Sequence, residues 1–261
     1  MLILYYLVLL VLLYIPIVLL FLFSINNGLT FSFPLQGLTL HWYQDMLQNA
    51  ALTNALVNSA LVALLSSLAA TTLGTSAAIA LTRFKFKGKA IFLSVALMPL
   101  LVPLLIMGVA LLLLFAALDV QRSLWSVGVA HTVVSLPYTL LILMARLVGF
   151  DSHLEEAAQD LGAGYLYTLR RVVLPMISPA MLAAMLIAFT VSFDEFVLAS
   201  FLIGREPTLP VFLYGQLRFA NRFPQVVALA VLVMVASIGL VLLAERLRIA
   251  GTRAPVEKQT T

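Results

Sequence analysis

Six long apolar runs constrain this chain more than any other feature. They lie near 2–24, 55–82, 90–117, 124–146, 179–203 and 224–244. Each reaches the roughly 20 residues a helix needs to cross a hydrocarbon layer about 30 Å thick. Lipid offers no partner to a backbone amide, so each run is expected as a helix. Only 10% of the 261 residues are charged and 63% are hydrophobic, whereas soluble domains carry about 25% charged residues. The expected fold is all-α: a polytopic membrane protein with six transmembrane helices. Cysteine is absent, and His41, His131 and His153 lie far apart in the chain. Disulfides are therefore excluded, and no metal site is expected.

The charges indicate how these spans are threaded. With six spans, both termini share one side with the second and fourth loops. That side holds eleven basic residues: Arg83, Lys85, Lys87, Lys89, Arg146, Arg170, Arg171, Arg246, Arg248, Arg253 and Lys258. The opposite side holds four, Arg122, Arg205, Arg218 and Arg222. Positive charge is retained in the cytoplasm, so both termini, the Arg83–Lys89 loop and the 147–178 segment are expected there. The first charged side chain is Asp45. The N-terminus thus lacks the basic region of a cleaved signal, and run 2–24 is read as a retained span. The chain divides into a first span with its outer loop (1–54), a core (55–248) and a polar tail (249–261) expected to be disordered.

Within the outer loop, His41-Trp42-Tyr43 predicts a short helix near 41–48 at the membrane interface, where Trp and Tyr concentrate. In the second run Ser59, Ala63, Ser66, Ala70 and Gly74 follow one helical face, a spacing that suits close helix packing in lipid. Pro16, Pro99, Pro103 and Pro137 are expected to bend spans. His131 is read first as a hydrogen-bonded packing residue.

The 147–178 loop has its own order. Ser152 and Glu155 fit a capping box. Leu154, Ala157, Ala158 and Leu161 recur at helical spacing. Glu156, Gln159 and Asp160 occupy the other face, and Gly162 and Gly164 end the pattern. A helix over about 153–161 is predicted outside the membrane, roughly 13 Å long. Its apolar ridge could dock into another protein or rest on its own bundle, and patterning alone leaves both open.

Glu156-Ala157-Ala158, then Gly162, then Val172-Val173-Leu174-Pro175 resembles the signature of binding-protein-dependent ABC importer permeases. That pattern reads E-A-A, three residues, G, nine residues, I-x-L-P. Every spacing is met, and Val172 in place of Ile is the one departure. The resemblance implies the type I ABC importer transmembrane fold, with helix 153–161 as the coupling helix that enters a cleft of an ATP-binding subunit. It places the coupling surface on Glu155, Glu156, Ala157, Ala158, Gly162, Leu174 and Pro175. It further implies two ATP-binding subunits, a second permease subunit (a heterodimeric pore) and an external substrate-binding protein. The nearest string to a phosphate loop, Gly88-Lys89-Ala90, has Arg83 in place of the first glycine and Ala90 in place of the hydroxyl residue. The expectation is a transport subunit without catalytic residues or cofactor, with ATP and Mg²⁺ held by its partners.

Asp194 and Glu195 interrupt the fifth run. A carboxylate within a span costs on the order of 2.5–3.5 kcal/mol. The two residues could line a path for a cation, or form a structural pair with a basic group or a capped helix end. The string Ser192-Phe193-Asp194-Glu195 resembles the polyamine-type branch of these permeases, which implies spermidine or putrescine as substrate. Related permeases for opines, aminophosphonates and other small amines share parts of it. An ion-coupled secondary transporter, with Asp194 or Glu195 as proton site, is the rival from another class. It is disfavoured because such folds carry internal repeats and none is visible here.

Overall fold

The computed structural model describes residues 2–149, 151 and 153–252. Among these described residues twelve α-helices follow one another: α1 Leu2–Ser24, α2 His41–Gln48, α3 Ala50–Arg83, α4 Lys89–Leu97, α5 Leu104–Ala117, α6 Leu124–Val148, α7 His153–Asp160, α8 Tyr165–Thr168, α9 Leu174–Phe193, α10 Val197–Leu202, α11 Leu209–Gln216 and α12 Phe223–Thr252. No strand occurs among the described residues; one isolated antiparallel bridge joins Asn26 and Leu38.

The helices expected at 41–48 and 153–161 are present as α2 and α7. Among the described residues, four helical stretches are long and apolar enough to span: Ile3–Ser24, Ala50–Arg83, Leu124–Val148 and Tyr165–Phe193. The expected third span is not one rod. Lys89–Leu100 and Leu104–Ala117 meet at 106°. Pro99 and Pro103 each remove a backbone donor, and Val102, preceding a proline, is pushed out of helical geometry. The fifth run is broken too, because α9 ends at Phe193 and α10 begins at Val197. In the last run, Phe223–Val235 is apolar and the helix continues through Thr252, past the expected end near 244. Ser152 and the tail 253–261 lie outside the described residues.

The chain forms two compact units, 51–212 and a second made of 1–50 with 213–261. In the second unit α1 and α2 both pack on α12. The loop after α1 is tied by polar contacts of buried residues. Trp42 Nε1–H donates to the Asn26 carbonyl (2.8 Å), and the Tyr43 hydroxyl donates to Ser24 Oγ (2.8 Å).

The 51–212 unit holds two apolar clusters. One gathers Ala78, Leu81, Leu140, Leu143, Leu147, Val173 and Ile177. The other gathers Val62, Met107, Val127, Ala130, Val134, Leu198 and Leu202. The small-residue face of α3 does what its spacing implies. Ser59, Ala63, Ser66, Ala70 and Gly74 are all buried. Thr139 Oγ1 on α6 donates to the Ala70 carbonyl (2.9 Å). A Cβ at Gly74 would collide with Thr139 and meet the Leu140 nitrogen at 3.1 Å, so only glycine lets α3 and α6 approach this closely.

Residues 165–193 run as one helical rod through a π-helical stretch, Leu169–Val173. Its widened turn sits where Pro175 would otherwise clash with the carbonyl four residues back. Pro179 frees the Pro175 carbonyl in turn, and Ser178 Oγ donates to it at 2.7 Å.

Candidate coupling and translocation sites

Helix α7 is built to project. Asp151 Oδ1 accepts from the His153 N–H (3.0 Å) at its start, and Glu155 and Glu156 occupy the first turn, where carboxylates complement the helix dipole. At its end Gly162 N–H donates to the Gln159 carbonyl (2.8 Å) and Ala163 N–H to the Ala158 carbonyl (3.0 Å). Gly162 has φ +87°. Together these form a Schellman stop, in which glycine takes the left-handed conformation without strain. Leu161 is left 90% exposed and Leu154 is exposed beside it. Glu156 is exposed as well, with His153 Nδ1 3.3 Å from its carboxylate. Ala157 and Gly162 are open, and Ala158 is half-buried. Leu174 is half-buried and Pro175 exposed, on the rod that follows.

Glu155 behaves differently from Glu156. Its Oε1 lies 2.5 Å from Nη2 of Arg83, the last residue of α3. The capping partner expected for it, Ser152, is outside the described residues. In the sequence Arg83 marks topology alone. Its contact with Glu155 joins residues 72 positions apart, so no local pattern could reveal it.

The second site lies where α9 breaks. Glu195 is 7% exposed. Its two carboxylate oxygens accept from the Leu198 and Ala199 N–H groups at 3.0 and 3.1 Å, capping the first turn of α10. Its Oε2 also lies 3.3 Å from His131 Nε2. His131 is 2% exposed, and its Nδ1 is 2.8 Å from Ser192 Oγ. Ser66 Oγ on α3 donates to the same Ser192 oxygen at 2.9 Å. One polar seam thus ties α3, α6 and α9 to α10. The expectation that His131 is a packing residue agrees with these contacts, and sequence reading missed its carboxylate partner.

Asp194 is exposed, and no basic group pairs with it among the described residues. It lines a cavity of about 400 Å³ with Glu195, Phe196, Val197, Pro99, Val102, Val134 and Tyr138. Both broken runs therefore meet at this cavity. A volume of several hundred Å³ is in the range of small-molecule sites. Broken membrane helices are a recurring way to place polar groups at mid-span. Tyr138 was not singled out from sequence as a cavity residue.

The sequence profile described as "Binding-protein-dependent transport system inner membrane component" matches residues 70–248. The chain belongs to this family. Among its relatives, the spermidine/putrescine transport system permease protein PotC of Escherichia coli K12 is 35% identical over 231 residues, 88% of this chain and 87% of PotC. The putrescine transport system permease protein PotI of the same strain is 35% identical over 237 residues, 88% of this chain and 83% of PotI. A bacterial ABC transporter involved in the import of the acidic polysaccharide alginate has a chain of the same fold. Its TM-score is 0.70 at 16% identity, covering 92% of both chains. The protein is a permease subunit of an ABC importer with the type I fold, and the 106° bend divides what the sequence suggested was one of six spans. Membership also excludes the secondary-transporter alternative.

Proposed function

We propose that this permease imports a small cation such as spermidine or putrescine. An external binding protein delivers it, and the energy comes from ATP-binding subunits that hold ATP and Mg²⁺ and receive α7 in a cleft. The observation that carries the coupling half is α7 itself: a capped, projecting helix with an exposed Glu156, followed at once by Leu161, which is 90% exposed. Apolar ridges left open on a short amphipathic helix suit helix-in-groove docking. On this reading Glu156, Ala157, Ala158 and Gly162 touch the ATPase, and Leu174 and Pro175 carry its motion into α9. Glu155 belongs to the same coupling surface but faces its own bundle.

Asp194 supports the substrate half. Its carboxylate lines the cavity without a basic partner among the described residues, whereas Glu195 is occupied by His131 and the α10 amides. Asp194 is the cation contact, and Glu195 holds the broken helix that presents it. The 35% identity to PotC and PotI favours a polyamine. Opines, aminophosphonates and other small amines are the neighbouring possibilities for the same carboxylate. Both termini and α7 lie in the cytoplasm of a bacterial cell by the distribution of basic residues. A second, different permease completes the pore.

The test is the ATPase activity of the complex, reconstituted with its binding protein, with and without spermidine or putrescine. Polyamine should stimulate hydrolysis, Glu156→Lys should uncouple it and Asp194→Asn should cut transport. If polyamine leaves hydrolysis unchanged while Glu156→Lys still uncouples, the cation assignment is wrong and the coupling assignment stands. If Glu156→Lys changes nothing, the coupling assignment is wrong.

A further inference from the structure

Helix α7 needs a rigid link to the helices that line the cavity. Its main packing partners, α8 and the π-helical stretch, continue into α9. A separate connection runs to α3. We propose that the Arg83–Glu155 ion pair is a transmission tie, through which displacement of α7 moves α3; this inference rests on the reading of α7 as the ATPase-docking helix.

Three observations carry it. The first is placement, because Arg83 is the terminal residue of α3, a helix of 34 residues. The second is the geometry of the guanidinium. Nη2 lies 2.5 Å from Glu155 Oε1, and Nη1 donates to the Leu147 carbonyl in the last turn of α6 at 3.3 Å. One guanidinium thus reaches both elements, as a close charge contact to Glu155 on α7 and as a hydrogen bond to Leu147 on α6. Both side chains are largely withdrawn from water, 20% exposed for Arg83 and 12% for Glu155. Their attraction is therefore screened less than that of a surface pair. Next to them, Phe84 and Tyr165 meet edge to face with ring centroids 5.7 Å apart, a second strut between the end of α3 and the start of α8.

The third observation is where α3 leads. At mid-helix Ser66 donates to Ser192, two residues before Asp194. Further along, Asn58 Nδ2 donates to the Pro207 carbonyl (3.1 Å) and the Leu209 N–H donates to Ser59 Oγ (2.7 Å). One continuous rod thus connects the α7 clasp, the seam behind the cavity and the 207–209 segment. Glu155 and Glu156 divide the labour: Glu156 faces the ATPase, and Glu155 passes the displacement to α3.

The experiment uses the complete importer in proteoliposomes, with spermidine as the probe, and reads co-purification of the ATPase, hydrolysis, and substrate moved per ATP. Arg83→Ala and Arg83→Gln should retain the ATPase and its hydrolysis, while substrate moved per ATP falls about ten-fold, near the lower end of close charge-pair couplings. The exchanged double variant Arg83→Glu/Glu155→Arg should recover most of that loss, and Arg83→Lys should lie between. The tie is refuted if the single variants move as much substrate per ATP as the wild type, or if the exchanged pair is no better than either single variant. It is also refuted if the single variants shed the ATPase, because the pair would then only hold α7 in shape for docking. Failure of the wild-type chain to hold the ATPase would instead overturn the docking reading.

Discussion

Two pairs of adjacent carboxylates, Glu155-Glu156 and Asp194-Glu195, sit far apart in the 51–212 unit and are handled alike. In each, one carboxylate is tied inward and its neighbour is left outward. Glu155 meets Arg83, and Glu156 stays exposed on α7. Glu195 meets His131 and two α10 amides, and Asp194 faces the cavity. The difference lies in what the inward partner does. Arg83 links the end of one helix to another, outside the run of either span, so the tie can move as a unit. Glu195 closes a helix break inside the bundle, where an unpaired donor or charge costs most. One clasp suits motion and the other suits rigidity.

Substitutions can break this comparison, and the inward carboxylate of the membrane pair should show the largest stability effect. Glu195→Ala leaves the α10 amides without their acceptor and His131 without its carboxylate neighbour. A loss of about 3 kcal/mol is expected, as when one member of a buried pair is removed. Thermal unfolding of the solubilised protein reads it, and Glu195→Gln, which keeps one acceptor oxygen, should recover part. Gly74→Val comes next. Its branched side chain enters the space of Thr139 and should cost about 1–3 kcal/mol by overpacking, seen as a lowered unfolding temperature. Ser192→Ala removes the oxygen shared by Ser66 and His131 and should cost about 1 kcal/mol in the same assay. The outward carboxylates should give the smallest stability changes. Asp194→Asn and Glu156→Gln should each shift stability by less than about 0.5 kcal/mol, yet lower uptake in transport assays. If Asp194→Asn destabilised the fold as much as Glu195→Ala, the division into inward and outward carboxylates would fail.

Much of this was legible in the sequence where the cause is local. Helix α7 announced itself by its apolar spacing and by Gly162, whose left-handed φ the structure contains. The buried face of α3 was readable from its small residues. The breaks were harder. Pro99 and Pro103 predicted a bend, but an apolar run reads the same whether it is straight or turned through 106°. At Asp194-Glu195 the sequence left a pore role and a capped helix end as alternatives; the geometry gives Glu195 the helix end and leaves Asp194 on the cavity wall, where a pore role is our proposal. The Arg83–Glu155 and His131–Glu195 contacts join distant segments. They depend on how α3, α6, α7 and α9 pack, which no periodicity encodes.

The docking of α7 is the claim on which the rest depends, and the chain makes it directly measurable because it has no cysteine. A single Leu161→Cys places a thiol at the residue that follows α7, which is 90% exposed. In inverted membrane vesicles it should react rapidly with a water-soluble maleimide when the permease is alone, and be protected when the ATP-binding subunits are present. Equal labelling with and without those subunits would contradict the docking of α7.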